Sequence, residues 1–76
     1  MRETVEKIVR AIVDDAEAVD VREVEKGNTT LIEIRVAPDD MGKVIGRQGR
    51  TVRALRSLVH AVSVKRNRRY ILEIVE

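Results

Sequence analysis

The sequence predicts an α+β fold in which three helices cover one face of a three-stranded mixed sheet. Apolar residues recur at helical spacing near the N-terminus and again after residue 50, and three short segments alternate between apolar and polar residues. About thirty residues of mainly helical character separate the second and third of these segments, which is enough for a parallel crossover. Because 76 residues suffice for one small core, we expect a single domain spanning residues 1–76.

The first element is predicted to be an amphipathic helix of about four turns. Its apolar face consists of Val5, Ile8, Val9, Ile12 and Ala16. The acidic residues that follow do not have the loop spacing of a metal site, and we interpret them as a solvated helix end: Asp14, Asp15, Glu17 and Asp20.

A β-hairpin is predicted next, turning at Gly27-Asn28. In its second strand, Leu31 to Ala37, alternate residues are apolar. In its first strand the step from Val21 to Val24 breaks the alternation, which predicts a bulge or an early strand end.

Two helices and a strand complete the chain. Pro38 ends the hairpin, Asp39 or Asp40 is placed to cap a short helix from Met41, and Gly46 offers a left-handed stop. After Gly46-Arg47-Gln48-Gly49, a longer helix has an apolar stripe (Val52, Leu55, Leu58, Val59, Val62) and a polar outer face (Arg50, Arg53, Arg56, Ser57). In the last strand, Tyr70 to Val75, the inward residues are Tyr70, Leu72 and Ile74. The predicted order is α-β-β-α-α-β.

The charge is divided along the chain. Residues 1–40 carry six Lys or Arg and eleven Asp or Glu, a net charge of −5, whereas residues 41–76 carry nine Lys or Arg and two Glu, a net charge of +7. A basic half of this kind indicates a polyanionic partner. No apolar run is long enough for a membrane span, and Glu3 and Glu6 are atypical of a signal peptide. With no cysteine in the chain, we expect a cytoplasmic protein without disulfides or membrane contact.

The segment with the most specific chemistry is the glycine loop Gly46-Arg47-Gln48-Gly49 between the two later helices. Glycines allow a nucleic-acid backbone to approach the main chain, and the following helix N-terminus offers N–H groups to phosphates. Positive side chains flank the loop: Lys43, Arg47, Arg50 and Arg53. The alternative is that the two glycines only end one helix and begin the next.

This loop and its apolar and basic flanks resemble the signature of KH domains. The additional helix and strand before the βααβ core match the type II arrangement, and the whole chain most resembles the stand-alone bacterial KhpA family. The resemblance implies a GXXG loop that clamps about four nucleotides of single-stranded RNA without a cofactor. It also implies modest sequence selectivity and association with a second copy or a larger KH-containing protein.

The resemblance also assigns a variable loop, Ser63 to Arg68, and a groove for bases between the helix with Arg50 and Arg53 and the strand that begins at Arg69 and Tyr70. The basic run from Lys65 to Arg69 stands where a turn glycine is expected in relatives. The candidate RNA-binding residues are Lys43, Ile45, Gly46, Arg47, Gln48, Gly49, Arg50, Arg53 and Arg69.

Other functions have less support. The only aromatic residue is Tyr70, which we interpret as a half-buried strand residue, so base stacking on several aromatic residues, as in RRM domains, is excluded. His60 has no nucleophile or base near it in sequence and is interpreted as a solvent or interface residue, so we expect no catalysis. Core burial is expected for most of Leu58, Val59 and Val62, with a dimer contact as the alternative. The remaining rival is a protein-interaction module whose basic face docks an acidic or ribosomal partner.

Overall fold

A computed structural model describes residues 1–75; Glu76, the last residue of the predicted domain, lies outside the described residues. The elements are α1 (Arg2–Ile12), β1 (Asp20–Lys26), β2 (Thr29–Arg35), α2 (Met41–Ile45), α3 (Arg50–Arg66) and β3 (Arg69–Val75). Short 3-10 turns lie at Ala16–Ala18, Pro38–Asp40 and Arg47–Gly49. The predicted α-β-β-α-α-β order is confirmed. No helix within residues 1–75 is long and apolar enough to cross a membrane.

The sheet has the order β1-β2-β3, with β1 antiparallel and β3 parallel to β2. Both pairings were predicted. The predicted bulge or early end of β1 is wrong, because pairing runs without interruption from Asp20 to Lys26. Val24 departs from the alternation because it lies on the face opposite Val21, where it pairs with Leu31, and Leu31 pairs with Ile71. This cross-strand row gives Val24 apolar neighbours on the solvent side of the sheet.

The core lies between the three helices and the inner face of the sheet. It is entirely aliphatic, and its largest fully buried apolar side chains are Ile32, Ile34, Val5, Val9, Val44 and Val59. Ile32 and Ile34 come from the central strand, which is covered by helices on one face and paired on both edges. Leu72 of β3 is buried in the same cluster, and Tyr70 and Ile74 pack against it, as predicted for the inward face of that strand.

Helix α1 is about one turn shorter than predicted. It ends at Ile12, Val13 is extended, and Ala16 falls in the following 3-10 turn. The cause is the side chain of Asp40, which accepts hydrogen bonds from the backbone N–H groups of Asp14 (3.2 Å) and Asp15 (3.0 Å). These N–H groups are therefore bound to a side chain distant in sequence.

Asp40 occupies the N-cap position of α2, but its side chain makes no capping hydrogen bond there. The capping role predicted for Asp39 or Asp40 is therefore wrong. Asp40 is only 2% exposed and joins the end of α1 to the start of α2. Hydrogen bonds from the backbone of Asp15 and Asp14, together with the nearby charge of Lys43, lower the pKa of Asp40, although burial opposes this shift. The acidic residues Asp14, Asp15 and Glu17 are exposed, as expected. The interpretation of Asp20 as part of a solvated helix end is wrong, because Asp20 is the half-buried first residue of β1 and pairs with Arg22 at 2.8 Å.

Candidate nucleic-acid interface

The GXXG loop between α2 and α3 has positive φ angles at three of its four residues. These are Gly46 (φ 79), Gln48 (φ 57) and Gly49 (φ 74). Gly46 ends α2 as predicted, but with ψ 169 it is outside the left-handed helical region that was expected. This combination of angles is adopted essentially only by glycine. The N–H of Gly46 donates to the carbonyl of Gly42 (2.8 Å) and that of Gly49 to the carbonyl of Gly46 (3.1 Å), so the loop has a defined shape.

The two loop glycines have different surroundings. A Cβ atom on Gly46 would lie 2.8 Å from the backbone nitrogen of Thr51, so this glycine allows the loop to pack on the first turn of α3. A Cβ on Gly49 would meet only the end of the Arg53 side chain, at 3.9 Å. Helix punctuation describes both glycines, since Gly46 ends α2 and Gly49 is the N-cap of α3, but only Gly49 has open space around its Cβ position.

The basic residues around the loop also differ from one another. Arg47 and Arg50 are exposed, and neither forms an ion pair with any carboxylate of residues 1–75. Arg53 donates from Nη2 to the carbonyl of Gln48 (3.2 Å), which fixes the loop to α3. The apolar residue before the loop, Ile45, is 40% exposed.

Lys43 is engaged by acidic residues. Its ammonium group contacts the carboxylate of Asp14 and lies 3.9 Å from that of Asp40. The hydrogen bond to Asp14 and the charges of both carboxylates raise the pKa of Lys43, against the effect of its partial burial. Its positive charge is therefore partly compensated within the chain.

A surface cleft of ≈ 540 Å³ lies between α3 and β3. The strand contributes Arg69, Tyr70, Ile71 and Leu72, and the helix contributes Arg56, Val59, His60 and Ser63. The predicted boundary by Arg69 and Tyr70 is present, but the residues that line this cleft from α3 lie beyond Arg50 and Arg53. Neither Arg56 nor His60 was predicted as a site residue. Their spacing after Arg53, three and then four residues along one helix face, is the signal that indicates them.

The basic half of the chain is largely without acidic partners. Of its nine Lys and Arg residues, only Lys43 and Arg68 form ion pairs with carboxylates of the described residues 1–75. The other seven are Arg47, Arg50, Arg53, Arg56, Lys65, Arg66 and Arg69. Five of these belong to α3, whose first turn carries no acidic residue: Arg50, Arg53, Arg56, Lys65 and Arg66. The loop and α3 therefore form a surface of uncompensated positive charge.

The connection from α3 to β3 is shorter than predicted. Ser63 to Arg66 are helical, so only Asn67 and Arg68 remain of the predicted variable loop. Asn67 is in the left-handed conformation (φ 52, ψ 43) that glycine was expected to supply. The N–H of Asn67 donates to Val64 (3.3 Å) and that of Arg68 to Ser63 (3.1 Å), a Schellman motif that satisfies the last carbonyls of the helix.

Tyr70, His60 and the three apolar residues around His60 differ in their exposure. Tyr70 is half-buried, as predicted, and its hydroxyl lies 3.4 Å from Nη1 of Arg66. His60 is exposed, in agreement with the expected solvent position, and also lines the cleft. Val59 is buried in the core, whereas Leu58 and Val62 are only half-buried, so the core burial expected for most of these three residues is wrong.

A GXXG loop joining two helices on this mixed sheet, with a helix and a strand before the βααβ core, is the arrangement of a type II KH domain. The family model described as KhpA/KhpB, KH domain, matches residues 2–74, and the chain belongs to that family. No solved structure matches the chain.

Curated relatives are similar over nearly their whole length. The RNA-binding protein KhpA of Halalkalibacterium halodurans is 50% identical over 76 residues, covering 100% of both chains. That of Caldanaerobacter subterraneus subsp. tengcongensis is 48% identical over 75 residues, covering 99% of this chain and 100% of the relative. That of Aquifex aeolicus is 43% identical over 76 residues, covering 100% of this chain and 96% of the relative.

Proposed function

We propose that this chain is a non-catalytic single-stranded RNA-binding protein of the cytoplasm that acts as a post-transcriptional or RNA-chaperone-type regulator. Residues 1–76 form its one KH domain, and the GXXG loop clamps about four nucleotides. The observation that carries the proposal is the group of seven Lys and Arg residues without acidic partners in residues 1–75, placed along the loop, α3 and the start of β3. The names of the curated relatives support RNA as the polyanion.

Each part of the surface has a role in the proposed clamp. Arg47 and Arg50 attract backbone phosphates beside Gly49, whose Cβ position is open, while Arg53 holds the loop in shape through Gln48. Gly46 allows the loop to pack on α3, and Ile45 provides the apolar floor. The cleft between α3 and β3 receives bases against aliphatic side chains, with Arg69 at its edge. Lys43 contributes a phosphate contact once it leaves Asp14.

The first experiment measures the salt dependence of binding. A fluorescently labelled RNA oligomer is titrated with the protein at several salt concentrations. Each phosphate neutralised on a single strand contributes a slope of about −0.7, so four contacts give about −3 in a plot of log affinity against log salt. Absence of binding, or an affinity independent of salt, would contradict an electrostatic clamp.

The second experiment tests the loop itself. The double variant Arg47→Asp with Gln48→Asp changes the net charge by −3 at exposed positions, and Asp tolerates the positive φ of residue 48 better than most residues. We expect RNA binding to be abolished while the circular dichroism spectrum is unchanged. The matched control, Lys7→Asp with Arg35→Gln, changes the charge equally at exposed positions on α1 and β2. Equal loss in both variants would remove the loop from the mechanism.

The family resemblance also supports association with a second copy or with a larger KH-containing protein, and we include this in the proposal. Sedimentation equilibrium over a range of concentrations tests self-association. Affinity capture from a lysate, with and without nuclease, distinguishes RNA binding from the rival protein-docking function. Partners that are lost on nuclease treatment support RNA as the primary ligand, whereas partners that survive it favour the rival.

A further inference from the structure

A second cleft, of ≈ 850 Å³, lies at the other end of α3 from the GXXG loop. Its walls are the last turn of α3 with Arg66, the connection Asn67–Arg69, and Asn28 in the turn between β1 and β2. Since α3 has 17 residues, it spans about 25 Å, which separates this cleft from the loop. We call it the basic cleft.

The walls of the basic cleft are joined to one another by hydrogen bonds. The backbone N–H of Arg69 donates to the carbonyl of Asn28 (3.4 Å), which joins the start of β3 to the hairpin turn. Nε of Arg68 donates to the hydroxyl of the buried Thr30 (2.6 Å), and the hydroxyl of Ser63 donates to the carbonyl of Arg68. Because three elements fix the shape of the cleft, a ligand would bind it without a large ordering cost.

Positive charge exceeds negative charge in the basic cleft. It contains three arginines, Arg66, Arg68 and Arg69, and within residues 1–75 only Arg68 has an ion pair, with Glu25 at 3.7 Å. Arg66 is exposed, and its nearest hydrogen-bond partner is the hydroxyl of Tyr70 at 3.4 Å. This excess of cations fits a ligand with several negative charges.

The basic cleft is continuous with the groove between α3 and β3, because Ser63 and Arg69 line both. A strand that leaves the groove at this end therefore passes directly into the basic cleft. We propose that the basic cleft binds backbone phosphates of the RNA beyond the four nucleotides held by the GXXG loop and the groove. This inference rests on the proposed function and extends the length of RNA that one chain covers.

The experiment compares labelled oligouridine of four and of ten nucleotides as probes for the wild type and Arg66→Gln. We expect Arg66→Gln to weaken binding of the ten-nucleotide RNA roughly threefold to fivefold and to make its salt slope shallower by about 0.7. Binding of the four-nucleotide RNA should stay within about twofold of wild type, because only the longer strand reaches the cleft. The longer strand can bind in more registers, which raises its apparent affinity. Because each variant is compared with wild type at the same RNA length, this contribution to the affinity cancels.

Two controls separate a local contact from other effects. Lys7→Gln removes one positive charge from α1, and Tyr70→Phe removes the hydroxyl near Arg66 without a change of charge. Neither should show the length-dependent loss. Equal losses on both RNA lengths, the same loss in Lys7→Gln, or no loss at all would overturn the inference while leaving RNA binding itself intact. Failure of the wild type to bind either RNA would instead overturn the proposed function.

Discussion

Gly46 packs directly on Thr51: a Cβ atom added to Gly46 would lie 2.8 Å from both the backbone nitrogen and the Cβ of Thr51. Real Cβ atoms do not approach backbone atoms so closely, so α2 and α3 meet at this distance only because residue 46 is glycine. The other glycines near the loop have more space. Gly49 would meet one flexible side chain, and Gly42 would meet nothing within 4 Å.

Substitution by alanine should therefore change the free energy of unfolding differently at the three glycines. We expect Gly46→Ala to lower the free energy of unfolding by roughly 2–5 kcal/mol, because a glycine-only conformation is combined with overpacking. Gly49→Ala should lower the free energy of unfolding by only about 1–2 kcal/mol, which is the cost of holding alanine in the left-handed conformation. Gly42→Ala, in α2 with open space around it, should raise stability by about 0.5–1 kcal/mol. Urea denaturation measures all three, and equal losses at residues 46 and 49 would contradict this account of the loop.

The local pattern of the sequence was sufficient to predict the order of elements and both strand pairings. Period-two alternation in residues 31–36 identified the central strand, and the stripe through Leu55 and Val59 identified the inner face of α3. These predictions succeed because burial imposes the period of each element on its side chains. The loop Gly46–Gly49 was equally visible, because glycine at fixed spacing between two helices is itself a local signal.

The errors arise where residues distant in sequence determine the structure. The end of α1 depends on Asp40, about 25 residues later, and no local pattern of residues 10–16 contains that contact. Val24 has its apolar neighbours on other strands, so the break in alternation indicated a change of face instead of a bulge. The partial neutralisation of Lys43 by Asp14 is likewise a tertiary contact. Such pairs become predictable only when the packing of the helices is known.

Asp40 should make stability sensitive to acid. Its pKa in the folded state is lowered from the ordinary value of 3.8, so its stabilising hydrogen bonds are fully present above that pH. They are lost as the pH falls below 3.8 and through the folded-state pKa. Asp40→Asn should lower the melting temperature at pH 7, because one of the two backbone N–H groups loses its acceptor, and should reduce the decrease in melting temperature on acidification.

The matched control for this prediction is Asp39→Asn, since Asp39 is exposed and forms no side-chain hydrogen bond with the described residues. Thermal melts followed by circular dichroism between pH 7 and pH 2 provide the measurement. An acid response in Asp40→Asn equal to that of the wild type would show that other carboxylates dominate the acid sensitivity.

The contact between Lys43 and Asp14 should weaken RNA binding. An ammonium group that is engaged by a carboxylate must leave it before it can neutralise a phosphate. Asp14→Asn removes this competition, and we expect RNA affinity to rise roughly twofold to fivefold at low salt. The gain should shrink as salt is added, because exposed charges are screened.

Glu17→Gln provides the control for Asp14→Asn, because it removes the same charge from an exposed acidic residue that forms no ion pair within residues 1–75. Fluorescence anisotropy with one RNA oligomer measures both variants. If they increase affinity equally, the effect of Asp14 is one of overall charge, and Lys43 has no specific part in it.

Asn67 controls the turn from α3 into β3. It holds φ 52 at the C-terminal end of the helix, where the N–H groups of Asn67 and Arg68 donate to carbonyls of the last turn. Asparagine tolerates this conformation better than most residues, and glycine tolerates it best. We expect Asn67→Gly to raise the free energy of unfolding by roughly 0.5 kcal/mol and Asn67→Ala to lower it by about 1 kcal/mol.

Lys65→Ala is the control for Asn67, because Lys65 is exposed in the last turn of α3 and a surface change there should stay within about 0.5 kcal/mol of wild type. Urea denaturation distinguishes the three variants. If glycine and alanine at residue 67 destabilise the protein equally, then the asparagine side chain, and not its backbone conformation, stabilises the turn. Opposite signs for the two substitutions would instead show that the left-handed conformation sets the cost, and that asparagine performs the role for which the family resemblance led us to expect glycine.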